Sequence, residues 1–219
     1  MDSRHILEAK KKQIETNLAG MSDDVGNAIE AAVKCLVKKD QGVCEDLIRN
    51  DVKLNEKRRL LEQDCLVALA SQQPVAHDLR DIIADMRIAS ELERVGDYAS
   101  DIAASVLEME GVHLELLGLL DVQRMAGICQ QMLSHAMRAH QAGDVALARR
   151  VGAADDELDA LMHKLASFLM DAMRADPKHV HDGSRMLWIA HNLERCGDRA
   201  TNIAEQVIFQ VEGDSVELD

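Results

Sequence analysis

Aromatic residues are scarce: Tyr98, Phe168, Trp188 and Phe209 are all there are, 2% of 219 residues. That is too few to stack bases on an aromatic platform. It also argues against a β-sandwich or barrel, whose strands favour aromatic and β-branched side chains. Positive charge is in deficit, with 25 Lys plus Arg against 39 Asp plus Glu and a net charge of −14. Such a balance repels phosphate backbones and anionic lipid, so neither nucleic acid nor a membrane surface is expected as a partner. No run approaches the ~20 apolar residues needed to span a bilayer. The greasiest stretch, 114–122, is broken by Glu115, Gly118 and Asp121. Met1-Asp-Ser-Arg-His-Ile has no basic head before an apolar run, so no signal peptide is expected and a cytoplasmic location is. The five cysteines, Cys35, Cys44, Cys65, Cys129 and Cys196, are odd in number and contain no Cys-x-x-Cys pair. They read as reduced thiols packed like small apolar side chains. A His-Glu-x-x-His zinc site, a Gly-x-Ser-x-Gly elbow and a phosphate-cradling Gly-rich loop are all absent from the sequence.

Proline is as rare, and its two positions, Pro74 and Pro177, lie 103 residues apart. That spacing prompts a search for self-similarity. Residues 91–103 read Glu-Leu-Glu-Arg-Val-Gly-Asp-Tyr-Ala-Ser-Asp-Ile-Ala, and residues 192–204 read Asn-Leu-Glu-Arg-Cys-Gly-Asp-Arg-Ala-Thr-Asn-Ile-Ala. Eight of the 13 positions agree at an offset of 101. Upstream, Asp40, Asp51, Asn55 and Met21 pair with Asp144, Asp155, Asp159 and Met125 at an offset of 104. A period of this length is a duplicated domain rather than a solenoid unit, with the halves at 1–112 and 113–219.

Hydrophobic residues reach 47%, much of it Ala, Leu and Met, which favour helix. Breaks at 40–42, 73–74, 111, 142–144 and 176–177 divide each half into three helical stretches. These fall near 4–38, 42–71 and 75–110, then 115–141, 144–175 and 179–211. Pro74 and Pro177 suit first helical turns. The third stretch of each half carries an apolar seam at alternating steps of four and three: Ile88, Leu92, Val95, Ala99, Ile102, Val106 and Met109, then Ile189, Leu193, Cys196, Ala200, Ile203 and Val207. That stripe suits near-parallel helix packing. The expected fold is all-α: two tandem, pseudo-symmetric three-helix bundles built from six long helices.

Opposite the seam runs an acidic stripe. Glu93, Asp97 and Asp101 stand at i, i+4 and i+8, and Glu194, Asp198 and Asn202, followed by Glu205, repeat the pattern. On the second helices, Asp51 and Asn55 share a face, as do Asp155 and Asp159. Like charges at this spacing cost a helix roughly 0.2–0.5 kcal/mol per pair. The bland explanation is a solvated outer face. The sharper one is an oxygen-rich cation site suited to Mg, Mn, Ca or clustered Fe. Gly96 and Gly197, one residue before Asp97 and Asp198, would admit an ion, a partner helix or a close backbone. Arg94 and Arg195 beside the acids are read either as ion pairs orienting carboxylates or as contacts for an anionic partner group. His77-Asp78-Leu-Arg80 reads as a helix start, and His179-x-His181-Asp182 as a loop, with metal ligation as the sharper alternative. A di-iron bundle needs Glu-x-x-His on two helices, and the chain has one such stretch, Glu110 to His113.

Leu92-Glu-Arg-Val-Gly-Asp97 and Asn192-Leu-Glu-Arg-Cys-Gly-Asp198, each followed by an Ile-Ala pair, resemble the signature of the PhoU family of phosphate-signalling regulators. Residues 72–80, Gln-Gln-Pro-Val-Ala-His-Asp-Leu-Arg, and 200–208, Ala-Thr-Asn-Ile-Ala-Glu-Gln-Val-Ile, are similar to the same family. The resemblance runs from about Ile6 to Val211 and includes the duplication. It implies a non-enzymatic cytoplasmic regulator of phosphate homeostasis, usually a homodimer. Such a regulator restrains phosphate uptake and the phosphate-starvation response. It would act as an adaptor between the ATPase subunit of the phosphate ABC transporter and a membrane sensor histidine kinase. It also implies metal binding, by Fe, Mn, Mg or Zn, on Glu93, Asp97 and Asp101 with Asp51 and Asn55, and on Glu194, Asp198 and Asn202 with Asp155 and Asp159. Arg80, Arg94 and Arg195 are the partner-binding candidates. The set departs from full acidity at Asn55 and Asn202, where an amide oxygen can still coordinate but a negative charge is lost. The alternative reading is a metal store or a metal-dependent carboxylate-cluster protein. As an enzyme the latter would need an activated water and a pocket.

Overall fold

Aspartate caps set two of the helix starts. Asp40 accepts from the Val43 N–H at 3.2 Å and Asp144 from the Leu147 N–H at 2.9 Å. These are the two aspartates that pair across the duplication, and each satisfies a donor that a helix N-terminus leaves open. The computed structural model describes residues 3–110 and 117–218. Six long helices make up its regular structure: α1 (Ser3–Lys38), α2 (Gln41–Gln72), α3 (His77–Leu107), α4 (Leu119–Ala142), α5 (Val145–Ala175) and α6 (Val180–Glu212). No strand occurs among the described residues. The boundary expected at 112/113, the fourth helix start near 115 and His113 of the Glu-x-x-His stretch lie outside them.

The prolines sit slightly ahead of their expected places. Pro74 lies in the connection before α3, whose N-cap is Ala76, and Pro177 opens a 3-10 turn, Pro177–His179, that leads into α6. Asp78 gives α3 no cap hydrogen bond. It accepts instead from Lys11 of α1, 2.7 Å away. Gly143 ends α4 at a φ of 63°, a left-handed position where a Cβ would be strained.

The seams are buried as the spacing predicts, except at the end of the first, where Val106 is only partly buried and Met109, also partly buried, lies past the end of α3. Ile88, Leu92, Val95, Ala99 and Ile102 of α3 and Ile189, Leu193, Cys196, Ala200, Ile203 and Val207 of α6 are all inside. Helices α1, α2 and α3 pack on one another, as do α4, α5 and α6. The two bundles are not separate bodies. Helices α3 and α6 lie along each other, α1 touches α4, and one continuous apolar core runs through both bundles. Polar groups stitch the same seam. Glu91 accepts from Arg199 and Asn202, each at 3.2 Å. Arg87 donates to Gln206 at 3.1 Å and lies over the Phe209 ring. Asp85 and His140, both buried, pair at 2.7 Å.

The cysteine expectation holds for three residues and fails for two. Cys65, Cys129 and Cys196 are free and buried, and burial pushes all three thiols up, Cys65 to about 12. Cys35 and Cys44 instead form a disulfide across the turn from α1 to α2, with Cα atoms 5.8 Å apart. The turn folds α2 back on α1, so a pair nine residues apart in sequence meets. None of the described helices is long and apolar enough to cross a membrane.

Candidate functional site

Two glycines let the acidic helices come close. A Cβ at Gly96 would stand 2.5 Å from Cδ1 of Leu54 in α2. One at Gly197 would meet Cδ2 of Leu158 in α5, and an Asp155 oxygen at 3.0 Å. Of the three occupants expected at these glycines, an ion, a partner helix or a close backbone, the structure shows the adjacent helix, which fills each position with a leucine side chain rather than with its backbone. Each glycine therefore draws the second helix of its bundle against the third and brings their carboxylates to one surface.

In the first bundle that surface holds Asp51 and Asn55 of α2 and Glu93, Asp97 and Asp101 of α3. Burial, together with the charges of Glu93, Asp51 and Asp101, pushes the Asp97 carboxyl up to about 6. Asp51 is raised by burial and by Glu93 and Asp101, against a hydrogen bond from Asn55. Asp101 is raised by partial burial. Arg58 opposes them, donating to Glu93 at 3.2 Å and to Glu62 at 2.5 Å. Asp51 also lines a cleft of about 470 Å³ that opens between α1 and α2 beside Asp24, Asn27, Asp46 and Lys57.

The second bundle is closer to neutral. Glu194 is raised by burial, with Asp198 and Asp159 adding to the shift and His191 and Arg195 reducing it. Asp198 has Arg195 at 3.6 Å and Arg199 at 3.7 Å. His191 stands 3.3 Å from Glu194. Asn202 does not join this set, because its amide reaches across the seam to Glu91. A step of four residues advances a helix by about 40° beyond a full turn. Asn202 is therefore turned about 80° from Glu194, towards α3. The same drift takes Asp101 to the open edge of the first set.

The three arginines singled out by sequence diverge. Arg195 lies over the Tyr98 ring and near Asp198. Arg80 donates to the Gln210 carbonyl at 3.4 Å and so ties α3 to the end of α6. Arg94 is exposed. Arg58, His191 and Arg199, which decide the charge balance, carried no signal of their own, being single cations on long helices. At the start of α3, His77 pairs with Asp81 at 2.8 Å. The stretch from His179 to Asp182 is not the loop expected from sequence: His179 ends the 3-10 turn, and His181 and Asp182 lie in the first turn of α6, 3.2 Å apart.

Asp51, Glu93 and Asp97 offer oxygen donors only, and their mutual repulsion would be relieved by a cation. The donor chemistry thus fits a hard metal ion. As they stand, no three His, Cys, Asp or Glu side chains among the described residues converge to hold one.

The family model for the PhoU domain matches the chain twice, at residues 18–106 and 122–207. A phosphate-specific transport system accessory protein PhoU homolog of Rhizobium meliloti is 29% identical over 97% of this chain and 91% of its own length. The homolog of Pseudomonas aeruginosa is 30% identical over 98% of this chain and 90% of its own. Among solved structures, the phosphate transport system regulatory protein PhoU of Streptococcus pneumoniae superposes with a TM-score of 0.89 at 25% identity, covering 96% of this chain and 99% of its own. PhoU of Pseudomonas aeruginosa gives 0.88 at 30% identity, covering 94% and 99%.

Proposed function

The chain belongs to the PhoU family, and from that membership we propose that it is a cytoplasmic negative regulator of phosphate uptake and of the phosphate-starvation response. It acts by docking, as an adaptor between the ATPase subunit of the phosphate transporter and a sensor histidine kinase. The reading is regulatory rather than catalytic, in line with relatives named as accessory proteins of phosphate transport. A docked protein shifts its partner only through different affinity for the partner's two states. The adaptor surface therefore has to discriminate between them.

The observation that carries this reading is the duplicated carboxylate surface. Both halves spend a helix-interior glycine to bring acids of two helices together, and in the first half the repulsion is left largely unpaired. Asp51, Glu93 and Asp97 would hold a divalent cation there, which would supply a positive bridge to anionic partner groups. The relatives' names lend no support to a metal store. Arg94, exposed beside the first set, is the arginine best placed to meet an anionic group on a partner.

The test is co-purification from phosphate-replete cells. Tagged wild-type chain is expected to retain the transporter ATPase subunit and the sensor kinase. Asp97→Ala plus Asp198→Ala, with its helical circular dichroism unchanged, is expected to lose most of both. Equal recovery by the folded variant would remove the carboxylate surface from the account.

A further inference from the structure

The chain turns back on itself after α6. Gly213 closes the helix at a φ of 83°. Residues 214–218 then return to the groove between α5 and α6. Leu218 donates its N–H to the Glu205 carboxylate at 2.9 Å. Its backbone also sits over Gly152 of α5: a Cβ there would stand 3.0 Å from the Leu218 carbonyl oxygen and 3.1 Å from its Cβ. Val216 and Leu218, alternate residues of the segment, pack half-buried against the core. Gly152 is thus a bare position inside a long helix whose three nearest outside atoms all belong to Leu218.

The duplication supplies an internal control. At the offsets of 104 and 101, Gly152 corresponds to Ile48 and Glu205 to Ala104. Ile48 is 37% exposed. The first bundle has neither the room nor the acceptor, so this seat is a property of the second bundle alone. It lies one helical turn from Asp155 on α5 and one from Asn202 on α6.

We propose that the α5/α6 groove is a binding groove for an extended peptide with apolar residues at alternate positions. Its ligand is the chain's own 214–218, docked in cis as a releasable strap beside the second carboxylate set. A backbone hydrogen bond and two half-buried side chains hold it, without the hydrogen-bonded ladder of a helix, so it opens far more readily than the helices it lies on.

Amide hydrogen exchange on the full chain tests this. The Leu218 amide is expected to be protected. Gly152→Ala, which improves α5 as a helix, is expected to speed its exchange at least tenfold, and Glu205→Ala likewise. The Ile203 amide of α6 should be unchanged in both. A synthetic peptide of residues 212–218, at millimolar concentration, is expected to shift the Gly152 signal of a Leu218→Ser chain. An unprotected Leu218, protection that survives Gly152→Ala, or no response to the peptide would overturn the proposal.

Discussion

Asp97 bears the charge repulsion of the first carboxylate set. Its carboxyl is raised from an ordinary 3.8 to about 6, by burial first and then by Glu93, Asp51 and Asp101. A raised acid binds its proton more tightly in the folded state, so the folded chain loses stability as pH climbs from about 4 to about 6 and bears the full cost above that. Asp97→Asn is therefore expected to raise the melting temperature at pH 7.5. The gain should shrink as pH falls through 6 and vanish below about 4, as thermal melts across pH would record. The Glu-x-x-x-Asp spacing showed this acid and its neighbours in the sequence. A stripe drawn at steps of four misplaces Asn202, because it ignores the drift that carries its amide to Glu91.

At the scale of elements, the helices and their buried seams were legible from periodicity and from Asp40 and Asp144. The Lys11–Asp78 contact was not, since its partners stand 67 residues apart. Nor was the Cys35–Cys44 pair, which needs the α1–α2 turn to bring it together. The glycines were legible as anomalies, but their purpose needed the neighbouring helix. Alanine in a helix interior gains ~1 kcal/mol over glycine, whereas forcing a methyl into a packed contact costs ~1–3 kcal/mol. At Gly96 the contact would be 2.5 Å from a leucine methyl, and at Gly197 it would meet both Leu158 and Asp155. The overlap should win. Gly96→Ala is expected to lower stability in urea by about 1 kcal/mol and Gly197→Ala by more. An increase in either would mean that the Leu54 or Leu158 methyl swings aside, so that the packed contact does not hold the glycine in place.

For the whole molecule, the repeat foretold two bundles but not their fusion. A duplicated seam says where each third helix buries its apolar face. It says nothing of Asp85 meeting His140, or of Glu91 gathering Arg199 and Asn202, because those pairs break the repeat. The buried Asp85–His140 pair joins α3 to α4 at 2.7 Å. Asp85→Ala would leave the imidazole buried without it, a loss of about 1–3 kcal/mol. Because one core spans both bundles, urea unfolding should be a single transition. Circular dichroism, which reports both halves, and Trp188 fluorescence, which reports the second, should shift together in this variant. Movement of one probe alone would show two independently folding bundles.

On the proposed docking role, the first carboxylate set is kept for function at a cost to stability. Asp97→Asn separates the two. The measurement is phosphate-starvation reporter activity in phosphate-replete cells whose only copy of this gene encodes Asp97→Asn, with the melting temperature of the purified protein taken alongside. The account predicts a protein at least as stable as wild type and a reporter that is switched on. A stable variant that represses like wild type would contradict it.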